Sequence, residues 1–183
     1  PGNKCLNDRS HYNTVLKGNR DYRKAIVAKF LPDNKRHKLT IDGFTITEFG
    51  AETSEGGAVF STGGNLVMKN INFKENSAQK GGAAYLNTTT ALFERCSFIN
   101  NQAKINGGAI SIFVAEPRAV SGLYFYECII GEENSTQNSA PKGAFIYARQ
   151  KFTTLNINFT NPHYNETPDI DNDIYDKALE EKQ

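Results

Sequence analysis

Three cysteines, three histidines and a thin scatter of carboxylates are what this 183-residue chain offers toward bond chemistry. Cys5, Cys96 and Cys128 are odd in number and widely spaced, which is neither a disulfide framework nor a metal-binding pattern. His11, His37 and His163 stand too far apart for spacing to suggest a site. Asp169-Ile170-Asp171-Asn172-Asp173, with Glu180 at the twelfth position, begins like a calcium loop, but Ile174 stands where that loop needs glycine. A solvated acidic tail or a short cap is the better reading. The acids expected to face outward, Asp42, Glu48, Glu75, Glu94 and Glu127, do not recur as neighbours. Glycoside hydrolysis needs two carboxylates held across one bond. Arg95 and Glu127, at equivalent places in adjacent repeats, read as a surface ion pair of small value. No catalytic residue, metal or cofactor is expected.

Modification is the chemistry the sequence accommodates more readily. Four Asn-x-Ser/Thr sequons start at Asn87, Asn134, Asn158 and Asn165. With 20 asparagines and 23 serines plus threonines, chance alone accounts for much of that number, so placement matters more. Asn87, Asn134 and Asn165 fall in expected loops, and Asn158 lies between two inward residues and so points outward. All four are candidate glycan acceptors in a secreted eukaryotic setting.

What must position these groups is a repeat. Glu55-Gly56-Gly57-Ala58-Val59, Lys80-Gly81-Gly82-Ala83-Ala84 and Asn106-Gly107-Gly108-Ala109-Ile110 share one pattern, and Gly143-Ala144-Phe145 is a worn fourth copy. The second glycines fall at 57, 82 and 108, a period of about 25 residues. A period of that length means one supersecondary unit stacked on copies of itself. Gly56, Gly57, Gly81, Gly82, Gly107 and Gly108 are read as structural turns, suited to positive φ and close approach of adjacent coils. A phosphate cradle would need a strand, a Gly-rich loop and a helix start, in the order neither GxGxxG nor GxxxxGK supplies here.

Ahead of each Gly-Gly, four apolar positions recur as first, third, sixth and eighth: Leu39, Ile41, Phe44, Ile46; Leu66, Met68, Ile71, Phe73; Ala91, Phe93, Cys96, Phe98; and Leu123, Phe125, Cys128, Ile130. A weaker fifth copy reads Phe152, Thr154, Ile157, Phe159. Alternation puts the first and third residues on one side of a short strand, and the sixth and eighth on one side of the next. The two residues between form a polar corner. The fold class is therefore all-β: a single-stranded parallel β-helix of about five turns, with an N-terminal cap and a polar C-terminal tail. Phe44, Ile71, Cys96, Cys128 and Ile157 are expected to form one core ladder. Cys96 and Cys128 are then buried free thiols filling space in preference to a disulfide, because in-register parallel neighbours give poor disulfide torsions.

Phe73-Lys74-Glu75-Asn76 and Phe98-Ile99-Asn100-Asn101 each precede a Gly-Gly-Ala copy. This FxxN element followed by GGA[ILV] resembles the repeats of the chlamydial polymorphic membrane proteins, and related pectin-lyase-like β-helix surface proteins. The resemblance covers about residues 39 to 175, with Asn172-Asp173-Ile174-Tyr175 similar to the end of such repeats. It implies a right-handed β-helix, a location outside the cell or on its surface, and an adhesive or structural role. The membrane-anchoring β-barrel of that family finds no counterpart after residue 160, where strand length and an aromatic girdle are lacking.

Residues 1–38 are read as an N-terminal arm and cap or first turn, 39–160 as the β-helix and 161–183 as a tail or cap. The start at Pro1, without initiator Met or signal-peptide pattern, reads as a processed product, a fragment or an engineered chain. A net charge of +1 makes no case for nucleic acid, and no apolar run suits membrane insertion. The expected function is a non-enzymatic structural or adhesive module, a candidate filament subunit joined through its ends. Its expected partners are itself or other surface proteins, with glycans next. The alternative is a carbohydrate-active β-helix, either a polysaccharide lyase or hydrolase or a glycan-binding module.

Overall fold

The computed structural model describes residues 14–19, 24–30, 37–51, 53–114, 121–131, 137–150, 155–164 and 169–174. Its strands fall into three long sheets and one short one. Sheet 1 holds β1 (Thr14–Lys17), β4 (Phe44–Thr47), β7 (Asn72–Lys74), β11 (Ser97–Ile99), β15 (Ile129–Ile130) and β18 (His163–Tyr164). Sheet 2 holds β2 (Ile26–Lys29), β5 (Val59–Thr62), β9 (Ala84–Asn87), β13 (Ile110–Val114), β16 (Ile146–Gln150) and β19 (Ile170–Ile174). Sheet 3 holds β3 (Lys38–Asp42), β6 (Asn65–Lys69), β10 (Thr90–Glu94), β14 (Ser121–Tyr126) and β17 (Leu155–Thr160). β8 (Ser77–Lys80) and β12 (Gln102–Asn106) pair separately. Each strand of a long sheet pairs in parallel with its equivalents in the neighbouring repeats. This is the stacked-strand architecture of a parallel β-helix, and no helix occurs among the described residues. Sheets 1 and 2 reach beyond the span 39–160 at both ends, since β1 and β2 precede it and β18 and β19 follow it.

Strands this short have to turn at once, and at the corners flanking sheet 1 and entering sheet 2 they do so on single left-handed residues. Between sheets 3 and 1 the corner residue is Gly43, Asn70, Arg95, Glu127 or Asn161, each at a φ between 48° and 83°. After sheet 1 it is Glu48, Glu75, Asn100 or Gly131, and before sheet 2 it is Gly56, Gly81, Gly107 or Gly143. The left-handed conformation costs an L-residue roughly 1–2 kcal/mol, least for Gly and Asn. Arg95 and Glu127 carry that cost without either relief. The Gly-Gly pair divides two tasks. Its first member supplies positive φ. Its second has ordinary φ but no room: a Cβ on Gly57, Gly82 or Gly108 would overlap the carbonyl oxygen of Gly82, Gly108 or Ala144 in the next coil.

The interior is built of like residues in register. Leu39, Leu66, Ala91 and Leu123 are paired across sheet 3, as are Ile41, Met68, Phe93 and Phe125. Phe73 stacks on Phe98 with centroids 5.1 Å apart, and Phe93 on Phe125 at 5.3 Å. The two stacks meet edge to face through Phe93 and Phe98 at 5.3 Å, the arrangement ring quadrupoles favour. Ser121 Oγ is the one side-chain polar atom fully buried without a partner among the described residues.

The fifth copy is the place where the expected register fails. Ile157 pairs with Leu123 and Phe159 with Phe125. Ile157 is therefore not on the ladder of Phe44, Ile71, Cys96 and Cys128; it extends the ladder of Leu39 and Leu66. His163 N donates to Cys128 O, as Ile129 N does to Cys96 O, so the corner of that coil is Thr160-Asn161 and not Leu155-Asn156. The physical reason is that Pro162 occupies the sixth position there, so the apolar signal is lost, while Phe152 and Thr154 imitate the first two positions. Those two residues lie outside the described set.

A second buried ladder gives the FxxN motif its meaning. Asn76 and Asn101 are fully buried and Asn138 nearly so. Asn101 Nδ2 donates to Phe73 O at 2.9 Å and to Asn138 Oδ1 at 3.0 Å, while its Oδ1 accepts from Asn76 N at 3.2 Å and Asn76 Nδ2 at 3.1 Å. Each amide thus satisfies backbone groups left over where a strand ends and clamps one coil to the next.

Three stability predictions rest on these contacts. Gly82→Ala should lower unfolding stability by about 2–3 kcal/mol, because backbone must move. Gly43→Ala, with open space at its Cβ, should lose only about 1 kcal/mol from its φ. Asn101→Ala should lose about 2–4 kcal/mol by orphaning buried partners. Urea unfolding of the three variants checks the order.

Candidate functional site

Because successive side chains alternate, every residue between two core positions forms an outward row across the coils. On sheet 3 the rows run Thr40, Val67, Leu92, Tyr124, Asn158 and Asp42, Lys69, Glu94, Tyr126, Thr160. The last three residues of each row line a groove of about 580 Å³, with Leu92, Glu94, Tyr124, Tyr126, Asn158 and Thr160 on its walls. Tyr124 and Tyr126 are 37% and 38% exposed, side by side on β14, on a face whose backbone is fixed by strands on both sides. Tyrosine gives large contact area with few torsions to freeze.

The charges on this face are engaged with each other. Lys69 Nζ lies 2.6 Å from Glu94 Oε2, and Arg95 Nη1 2.6 Å from Glu94 Oε1. The Lys69 hydrogen bond, then the Arg95 and Lys69 charges, outweigh burial and hold the Glu94 carboxyl below its usual range. A hydrogen bond with Glu127 pushes the Tyr126 hydroxyl up. The expected pair of Arg95 with Glu127 is not formed: Arg95 turns to Glu94 and donates from Nε to Asn70 Oδ1 at 3.0 Å. Elsewhere Glu48 and Glu75, which the register brings to the same corner of adjacent coils contrary to expectation, pair with Lys17 and Lys74, and Glu55 pairs with Lys80.

Sheet 2 presents a different outward row: Phe60, Tyr85, Ser111, Tyr147, Asp171. Phe60 and Tyr85 stack with centroids 5.8 Å apart. Ser111 then interrupts the aromatic row, and a cavity of about 120 Å³ opens there, lined by Lys80, Tyr85, Asn106, Phe113, Tyr147 and Arg149. The Arg149 guanidinium lies over the Phe113 ring at 6.0 Å. Burial first, and Glu55 second, push the Tyr85 hydroxyl up to about 12.

The residues singled out in the sequence are distributed as follows. Asn158 is exposed in β17 within the sheet 3 groove, between half-buried Ile157 and Phe159. Asn87 is the last residue of β9, not a loop residue, and Thr89 of its sequon is fully buried, its hydroxyl donating to Gly63 O at 3.0 Å. Asn134, Asn165, Cys5, His11 and Glu180 lie outside the described residues. Cys96 and Cys128 are free, buried and stacked in register, with Sγ atoms 3.3 Å from Met68 O and Phe93 O. Burial pushes the Cys96 thiol well above its ordinary value. His37 precedes β3 while His163 lies in β18, in different sheets. Asp169 to Ile174 is not a loop: Asp169 O accepts from Phe145 N and Ile146 N, and β19 completes sheet 2. Among the described residues no three His, Cys, Asp or Glu side chains converge in a way that could hold a metal. The two faces themselves were not foreseen. Over the central coils the outward rows could have been read from the same register by listing the residues between core positions, which brings Val67, Leu92 and Tyr124 together; Asn158 joins them only when the fifth copy is realigned.

The protonation of Tyr85 gives a pH prediction. Its folded pKa lies above the unfolded value of about 10, so its contribution to stability is complete below pH 10 and is lost as pH rises through about 12. In a spectrophotometric titration a tyrosine component should ionise near pH 12, and Tyr85→Phe should remove it.

No curated protein and no solved structure matches the chain. The Chlamydia polymorphic membrane protein (Chlamydia_PMP) repeat model matches residues 95–112, which run from the left-handed corner at Arg95 through the ladder Asn101 to Ile112 of β13. The segment 95–112 is thus similar to that repeat in sequence, and in structure it contributes to stacked parallel strands.

Proposed function

We propose that the chain is a surface-displayed contact module: a right-handed parallel β-helix of about five turns that works by presenting rigid outward faces, and not by breaking bonds. The right hand follows from the strong preference of parallel crossovers. The repeat at residues 95–112 supports a place on the cell surface. The observation that carries the contact role is the sheet 3 groove, where Tyr124 and Tyr126 stand exposed on a backbone fixed by its neighbours. The engagement of Glu48, Glu55, Glu75 and Glu94 by lysine or arginine supports the absence of acid–base catalysis. Asn158, in the same groove, is the sequon best placed to modulate contact if it carries a glycan.

The test is adhesion of beads coated with the purified chain to cultured epithelial cells. Tyr124→Ser with Tyr126→Ser should reduce bead retention about tenfold, since aromatic anchors dominate contact energies. Retention unchanged in the double variant would remove the groove from the role. Release of reducing ends from a panel of polysaccharides would favour the carbohydrate-active alternative.

End-to-end self-association is a second reading. Leu16, Ile26, Leu39 and Ile41 at one end, and Ile157 and Phe159 at the other, are only half-buried continuations of core ladders. Such ends are templates for heterologous stacking, which propagates unless it closes. Light scattering should show mass rising with concentration; a strict monomer would count against it.

A further inference from the structure

We infer that the two ends of the stack are matched in charge and in register, so that a second copy of this chain adds head to tail as the next winding. This rests on the end-to-end reading above and names its interface. The small net charge conceals the first observation. Residues 1–38 hold ten Lys or Arg against three Asp, net +7. Residues 161–183 hold two Lys against seven Asp or Glu, net −5. Lys17, Lys29 and Lys38 are exposed on β1, β2 and β3, which end the three long sheets on one side, and Asp171 and Asp173 belong to β19 on the opposite side. Six strands in a sheet put about five spacings, roughly 24 Å, between these ends. The Debye length at physiological salt is about 8 Å. Each end therefore acts on an approaching molecule almost uncancelled by the other, so unlike ends attract and like ends repel.

The register supplies the second observation. On sheet 2 one column runs Ile26, Val59, Ala84, Ile110, Ile146, Ile170. A following copy that continued it would lay Ile26 on Ile170 and Lys29 on Asp173. Asp173 is already opposite Arg149, so this acid would stand between two bases. On sheet 3 the same continuation lays Leu39 on Ile157, Ile41 on Phe159 and Thr40 on Asn158. Apolar residues thus fall on apolar ones, as they do between coils of one chain. Ile26, Leu39, Ile41, Ile157 and Phe159 are only half-buried and Ile170 is exposed, so they have surface left to bury. No proline in β1 to β3 or β17 to β19 denies the new ladder an N–H.

The experiment is sedimentation velocity of the full chain. Mass should rise with concentration in about 50 mM NaCl, and the dissociation constant should rise at least tenfold in about 500 mM NaCl, where charges are screened. Lys29→Glu with Lys38→Glu should weaken association about tenfold. Lys74→Glu with Lys104→Glu, the same change of charge on β7 and β12 away from the ends, should leave it unchanged. In a Cys5→Ser background, a bismaleimide too short to span one chain should join Thr40→Cys to Asn158→Cys between chains, and not Thr40→Cys to Asp171→Cys. A strict monomer in every condition would overturn end-to-end association itself, and a monomer retained on heparin would give the basic end to a polyanion instead. Association indifferent to salt and to the end lysines, or weakened equally by the central pair, would overturn the charge match and leave self-association standing. Cross-linking through Asp171→Cys in place of Asn158→Cys would overturn the register.

Discussion

Every part of this molecule answers to one constraint: each coil must lie on the next with like residues over like, about 4.8 Å apart. That spacing leaves no slack. A side chain at Gly57, Gly82 or Gly108 would strike a neighbouring carbonyl, and a corner that failed to turn on one left-handed residue would throw all later strands out of register. The phenylalanine stacks and the asparagine ladder are consequences of it, since identical groups at this separation either attract or must be made to. Ring stacks attract by dispersion and quadrupole geometry. Amides do so by handing one donor to the next acceptor along the column.

The same constraint explains why surface chemistry appears in rows. A residue type that recurs in one outward position becomes a continuous stripe, and a single exception becomes a gap with defined walls. Charges placed one above another must alternate or be engaged, and Lys69 with Glu94 and Glu55 with Lys80 are such neighbours. Faces of this sort are stiff, so their recognition properties derive from what is mounted on them and little from rearrangement.

Much of this was legible beforehand. The 25-residue period, the four inward ladders over the central coils and the free thiols of Cys96 and Cys128 could be read from alternation and spacing. FxxN was visible as a pattern, but its reason was not, because a buried asparagine bonded along the stack is invisible to hydrophobic periodicity. Asn138 was hidden further by the longer loop ahead of it. The corners were seen as polar, while their left-handed backbone was not, since Arg95 and Glu127 are poor markers of that conformation. Ile157 was misplaced because Pro162 broke the apolar pattern that the alignment relied on. The faces that carry the candidate sites needed a register correct to the residue, as Asn158 joins Tyr124 only once β17 is aligned on β14.

The buried hydroxyl of Thr89 bears on timing. An enzyme that attaches a glycan reads the third residue of the acceptor triplet as well as its asparagine. Here that third residue is sealed against Gly63 once neighbouring windings have closed. A sugar on Asn87 would have to be added to the nascent chain, before this segment docks, whereas Asn158 and Thr160 stay exposed in the folded protein. The two triplets would thus record different moments in the life of the same polypeptide.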